Sequence, residues 1–231
     1  MSDDAVARHV VVPRTARLYT LGDAATARER WVVLHGYGQL ASYFVRHFAP
    51  LADGRVVVAP EALSRFYLES RDSGVHGPRV GATWMTREDR EAEIADYVRY
   101  LDLALDAAAP GDLPLSVLGF SQGTATACRW LAARDGRGAA PAERLVLWAG
   151  DVPPELDLRA AWLRRTRLTF VVGTSDRFVS PDVLAILRAR LDGAAVPYTL
   201  VTFDGEHRLD AATLAGLFTD ESSIQGIPGI R

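Results

Sequence analysis

The chain has 231 residues, 48% hydrophobic and 24% charged, with a formal net charge of −3. That is enough chain to bury one full core, so a single domain over residues 1–231 is expected. A sequence pI near 6.0 argues against a nucleic-acid partner, and a lone cysteine, Cys128, excludes an internal disulfide. Every basic residue is an arginine, which reflects composition rather than chemistry. The first eight residues hold two acids and no apolar run, so no secretory leader is expected. No stretch approaches 18 apolar residues, so no membrane span is expected. Together these features point to a cytoplasmic protein, a monomer or homodimer.

Residues 9–12 and 17–21 read as two strands of a leading hairpin. Residues 31–34 read as the first strand of a parallel set, residues 40–51 as an amphipathic helix, and residues 55–59 as a second strand. Residues 60–84, rich in Gly, Ser and Arg, read as one long loop, and a loop of that length is usually functional. Thr86 is expected as an N-cap with Asp89 as its capping-box partner. Ile94, Tyr97, Val98, Leu101 and Leu105 then follow at helical spacing through about residue 108. Further strands are expected at 113–118, 145–148, 168–173 and 197–203, and helices at 124–131, 183–191 and 209–218. Ser180-Pro181 suits the N-cap and first position of the 183–191 helix. Such alternation implies an α/β fold, a mostly parallel central sheet with helices on both faces. The 149–167 connection is too short for a helical lid, so an open site is expected. The tail, residues 220–231, is rich in Gly, Pro and Ser.

The most informative motif is Gly119-Phe120-Ser121-Gln122-Gly123, a G-x-S-x-G pentapeptide set between an expected strand and an expected helix. A serine on such a turn is pushed out above the sheet edge. The same turn puts the Gln122 amide at a helix N-terminus, facing negative charge that develops near the serine oxygen. A nucleophile of this kind needs a base, and the base needs an orienting acid. The order expected for this turn is Ser, then an acid, then His. Asp176 follows the expected strand 168–173, and His207 follows the strand 197–203. All three therefore sit at C-terminal strand ends, where open parallel sheets place their sites. Asp151, after the strand 145–148, is a rival acid. Near the front, His35-Gly36-Tyr37-Gly38-Gln39 is a Gly-rich turn after a strand. There the Tyr37 amide would join the Gln122 amide as a two-donor oxyanion hole. His35 itself reads as a structural hydrogen-bonding residue.

With these blocks in order, the chain resembles the α/β-hydrolase superfamily, and within it the phospholipase/carboxylesterase (serine esterase) family. The resemblance rests on His35-Gly36-Tyr37-Gly38, the Ser121 pentapeptide, Gly173-Thr174-Ser175-Asp176-Arg177-Phe178-Val179 and Gly205-Glu206-His207. It implies a triad of Ser121, Asp176 and His207, with Asp176 preferred over Asp151 because of its flank. It also implies that Gly81-Ala82-Thr83-Trp84-Met85-Thr86 lines the substrate pocket, with Trp84 and Met85 against the acyl group. Gln39 stands where many members carry Asp, and Glu206 replaces the second glycine of the usual Gly-Gly-His.

The activity implied is hydrolysis of small to medium carboxylic esters through an acyl-enzyme. The same triad would serve a thioesterase or an acyltransferase. A non-catalytic binding scaffold is the contrasting reading, but such scaffolds usually lack a triad member, and none is missing here. A small-molecule substrate is expected, with no nucleic acid, no cofactor and, in the absence of metal-ligand spacing, no metal.

Overall fold

The computed structural model describes residues 5–69 and 76–219. Its centre is a seven-stranded sheet in the order β1-β3-β2-β6-β7-β8-β9. The strands are β1 (Leu18–Leu21), β2 (Glu29–Leu34), β3 (Arg55–Pro60), β6 (Leu115–Phe120), β7 (Arg144–Trp148), β8 (Arg167–Gly173) and β9 (Tyr198–Phe203). Only β1 is antiparallel to its neighbour; the other pairs are parallel. Parallel strands covered on both faces read as unbroken apolar runs, and Val56-Val57-Val58 and Val117-Leu118 are such runs.

Alternate residues divide between two cores. Trp31 and Val33 face one side with Phe44, Phe48, Leu214 and Phe218. Val32 and Leu34 face the other with Leu101, Leu105, Trp130, Leu187 and Leu191. The first layer comes from α1 (Ala41–Phe44), the 3-10 turn Val45–Leu51 and α6 (Ala211–Phe218). The second comes from α2 (Arg90–Ala108), α3 (Gln122–Gly136), α4 (Ala161–Arg165) and α5 (Pro181–Gly193). Cys128 is fully buried in this second layer, and burial pushes its thiol pKa well up. Among the described residues no helix is long and apolar enough to cross a membrane.

Four local expectations change. The leading hairpin does not form: residues 9–12 carry no strand, and Val10, Val11 and Val12 are exposed. β1 instead takes the open edge of β3, with Leu18 opposite Pro60. The helix expected over 40–51 is a single α-turn continued as 3-10, because Pro50 supplies no N–H and disfavours α backbone before it. Its apolar spacing still holds, with Ala41, Phe44, Val45 and Phe48 all buried. Thr86 does not cap α2. Asp89 holds that position in a left-handed conformation (φ 52°) without a side-chain cap, and Thr86 bonds the Glu93 carboxylate instead. Ser180 does cap α5, accepting from the Val183 amide.

The fourth change bears on the site. Residues 60–84 are not one loop; they contain an antiparallel hairpin of β4 (Ser64–Glu69) and β5 (His76–Thr83). Residues 70–75 and the tail 220–231 lie outside the described residues. The buried Glu61 carboxylate fixes the base of the hairpin by pairing with Arg17 at 2.9 Å and Arg65 at 3.1 Å. The hairpin lies on the turn after β2: the Gly38 amide donates to Ala82 O, and the Ala82 amide donates to Gln39 O. The two backbones are so close that a Cβ on Gly81 would sit 2.5 Å from Gly38 O. Gly81→Ala is therefore expected to cost about 1–3 kcal/mol, as overpacking does. The urea midpoint checks it, and an unchanged midpoint would mean the hairpin does not bear on the turn.

Candidate active site

Four loops at the C-terminal ends of β2, β6, β8 and β9 converge. The loop after β6 carries the expected nucleophile. Ser121 ends β6 and precedes α3 with φ 53° and ψ −117°, a backbone that L-residues rarely adopt. Its amide donates to Trp148 O at 2.8 Å, and its carbonyl accepts from the Thr124 amide and hydroxyl. This fixes the elbow on both sides and leaves Oγ facing outward.

The loops after β8 and β9 extend the pairing of those strands. The Thr174 amide donates to Phe203 O and the Ser175 amide to Gly205 O, both at 2.9 Å. Trp148 anchors the second loop by donating Nε1–H to Arg208 O. These bonds bring Asp176 to His207: Nδ1 lies 2.8 Å from Asp176 Oδ2, and Nε2 lies 2.9 Å from Ser121 Oγ. A carboxylate only accepts, so Nδ1 carries the ring proton and Nε2 is the acceptor for the serine hydroxyl. The Asp176 side chain is fully buried, and its other oxygen accepts from the Phe178 and Val179 amides. The His207 ring packs between Phe120 and Phe178, with centroids 5.0 and 4.7 Å away. An imidazole so held can take a proton from Ser121 without turning.

Asp151, the rival acid, is engaged elsewhere. Its carboxylate meets Arg190 Nη1 at 2.6 Å and the Val152 amide. Burial pushes its pKa up, against the pull of Arg190.

Three amides of the turn after β2 are engaged, two within the turn and one with β5. The Gly36 amide donates to Gln39 Oε1, the Gly38 amide to Ala82 O and the Gln39 amide to Gly36 O. The Tyr37 amide remains, with no acceptor among the described residues. The Gln122 amide is likewise without one, as expected for the first position of a helix. Gln39, unusual by the resemblance, thus acts through its side chain as the internal cap of this turn.

His35 is buried. Its Nε2 accepts from the Ala62 amide at 3.1 Å, so Nδ1 carries the proton and donates to Gly36 O at 2.8 Å. It ties the turn to the end of β3, and burial lowers its pKa.

A cavity of ≈ 450 Å³ opens beside Ser121 and His207. Tyr37, Phe178, Val179, Val183 and Leu187 form its apolar walls, with Asp151 also at its surface. Trp84 and Met85 are not among the residues that line it. Trp84 is buried, its Nε1–H donates to His35 O at 2.8 Å, and its ring packs on His35 and Tyr97. The Gln122 carboxamide accounts for this placement: Oε1 accepts from the Trp84 amide, and Nε2 donates to Met85 O and Thr83 Oγ1. One side chain therefore pins segment 83–85 to the elbow. Sequence reading misses this role, because it assigns Gln122 a function only through its amide. Phe178 is missed as well, although it stands in the block that carries Asp176.

Sheet order, elbow and strand-end loops define the α/β-hydrolase fold, with no large lid domain among the described residues. Residues 25–210 match the family model Serine hydrolase (FSH1). The chain belongs to that serine hydrolase family. No curated protein matches it. Solved structures resemble it in fold. Esterase PE8 has a TM-score of 0.66 at 17% identity, over 89% of this chain and 97% of that one. The Mesorhizobium loti carboxylesterase has a TM-score of 0.64 at 18% identity, over 87% and 92%. Zea mays acyl-protein thioesterase 2 has a TM-score of 0.62 at 18% identity, over 88% and 96%.

His35 yields a pH prediction. Its folded pKa lies below the ordinary 6.5, so protonation favours the unfolded chain. The stability it supports is full above pH 6.5 and declines as pH falls below that value toward the folded pKa. His35→Gln keeps an acceptor for the Ala62 amide but does not titrate. Its melting temperature should fall less steeply than that of the parent below pH 6.5; parallel slopes would mean that His35 stays uncoupled from folding.

Proposed function

We propose that the protein is an esterase that cleaves small to medium carboxylic esters through an acyl-enzyme on Ser121. The observation that carries this reading is the unbroken line Ser121 Oγ, His207, Asp176, with contacts of 2.9 and 2.8 Å, at the mouth of an apolar cleft. His207 takes the serine proton as Oγ attacks the ester carbonyl. Asp176 holds the tautomer and stabilises the imidazolium. The amides of Tyr37 and Gln122 receive the oxyanion, each worth about 2.7–4 kcal/mol to the transition state. His207 then protonates the leaving alcohol, and water repeats the cycle on the acyl group. These steps need neither metal nor cofactor.

The cleft bounds the substrate. A volume of ≈ 450 Å³ with Phe178, Val183 and Leu187 on its walls suits an acyl chain of a few carbons. A thioester is the second reading, favoured by the acyl-protein thioesterase among the similar structures. Parallel panels of p-nitrophenyl esters and acyl thioesters separate the two.

Ser121→Ala is expected to fold and to lose on the order of 10⁴-fold or more in kcat. A fluorophosphonate probe should label Ser121 in the parent and nothing in the variant. Asp176→Asn should cost on the order of 10⁴-fold, because it reverses the tautomer, whereas Asp151→Asn should cost far less. Labelling at another residue, or the opposite ranking of the two aspartates, removes this assignment.

Butyrate esters should turn over faster than dodecanoate esters, with smooth saturation across the solubility limit. With no lid domain to open, nothing in the described residues should respond to an interface. A jump in initial rate above that limit, with dodecanoate preferred, would make the β4–β5 hairpin a moving cover.

A further inference from the structure

A second cluster of polar side chains lies at the opposite ends of the same strands. Trp31 of β2, Ser116 of β6, Arg144 of β7 and Arg167 of β8 are register partners in successive strands. Residues paired across a sheet project from one face. Three of these four carry a buried polar atom with no hydrogen-bond partner: Trp31 Nε1, Ser116 Oγ and Arg144 Nε. Trp31 and Ser116 are fully buried. Folded proteins pair nearly all such groups, so three in one row need an explanation. Two of the three can only donate, and the hydroxyl can donate as well.

The row borders a cavity of ≈ 430 Å³ lined by Trp31 and Arg144 together with Arg164, Arg165 and Arg167. Among the described residues its charge is unbalanced. Arg165 pairs with Asp135 at 2.6 Å, and Arg167 lies 3.9 Å from Glu143. Among the described residues Arg164 reaches only the Ala194 carbonyl, at 3.4 Å. Arg144 meets no carboxylate among the described residues, and its guanidinium stands 6.0 Å from the centre of the Trp31 ring. The remaining wall is largely apolar, with Val146, Leu168, Pro197 and Leu217, and Trp31 is held by a stack on Phe218 at 4.1 Å. The catalytic cleft begins where β7 ends, at Ala149. Ala149 lies five residue steps from Arg144, roughly 15–20 Å at about 3.3 Å per residue.

We propose that this cavity is a binding site for an organic monoanion, a carboxylate carried on an aromatic or short aliphatic body. A planar guanidinium matches a carboxylate in fork geometry, and Arg144 has donors to spare. The indole N–H of Trp31 supplies a further donor, the Ser116 hydroxyl stands on the strand between them, and the apolar wall takes the body of the ligand. A monoanion fits better than a phosphate, because two of the four guanidiniums already face carboxylates.

The test is titration of a fluorinated benzoate into the full chain, followed by fluorine NMR and calorimetry. One saturable site is expected. Arg144→Gln should weaken it about tenfold, the loss expected for a hydrogen bond to a charged group. Trp31→Phe, which keeps a ring against Phe218 and removes the N–H, should weaken it severalfold. The neutral benzamide should bind at least about tenfold more weakly. Arg164→Gln, on the surface helix α4, provides a second reading if Arg144→Gln does not fold, and should also weaken binding. Ester hydrolysis by these variants should stay at the parental rate. The proposal is overturned if benzoate shows no saturation by about 10 mM or if benzamide binds equally well. It is also overturned if folded variants keep full affinity, or if inorganic phosphate binds and benzoate does not.

Discussion

Everything at the site depends on how closely α3 starts against the sheet. A Cβ on Gly123 would lie 2.2 Å from Leu34 O, and one on Gly119 would lie 2.3 Å from Gly123 O. Only bare backbone fits there. This approach lets the Ser121 amide reach Trp148 O and sets the start of α3 beside the turn after β2. The amides of Tyr37 and Gln122 belong to elements far apart in sequence, and this contact brings the start of α3 against the end of β2. The strain stored at Ser121, φ 53°, is held by the same packing.

Around that fixed point, burial sorts the charged groups. Two aspartates end neighbouring strands. Asp176 is closed off and held by backbone amides, so its charge is directed at His207. Asp151 keeps contact with water and has Arg190 as a partner, so its charge is already spent on a salt bridge. The hairpin contributes through its base, where the buried Glu61 gathers Arg17 and Arg65. Glu61 is buried while both arginines reach solvent, so losing them would leave a buried carboxylate without compensation, which makes the base of the hairpin the firm part of an otherwise exposed ribbon.

Much of this was legible in the sequence. The parallel strands announced themselves as apolar runs, and the chemical residues fell at strand ends because sheet geometry puts them there. Ser121, Asp176 and His207 were each recognisable from a local motif, and the structure brings them into hydrogen-bonding distance. What stayed hidden depends on contacts between distant segments. β4 escaped notice because the exposed Tyr67 sits where alternation calls for a polar residue. Val10, Val11 and Val12 resemble a strand by composition, yet the edge that a strand would need is taken by β1. Trp84 looked like a pocket wall because it is aromatic, follows a long segment read as a loop, and resembles a pocket-lining block of the family. Its indole N–H instead has a backbone partner in the core, and no local pattern reveals that. The Gln122 clamp is invisible for the same reason, since its partners lie 37 to 39 positions away.

The burial of Cys128 has a consequence for where such chemistry can run. It is the only thiol in the chain, it lies inside the second helical layer, and its environment disfavours the thiolate. Alkylating agents and peroxides attack exposed thiolates, and this chain offers them none. Ser121, the nucleophile we propose, is an alcohol, which does not enter the sulfenic-acid series at all. The catalysis proposed for Ser121 therefore does not depend on the thiol redox state of its surroundings.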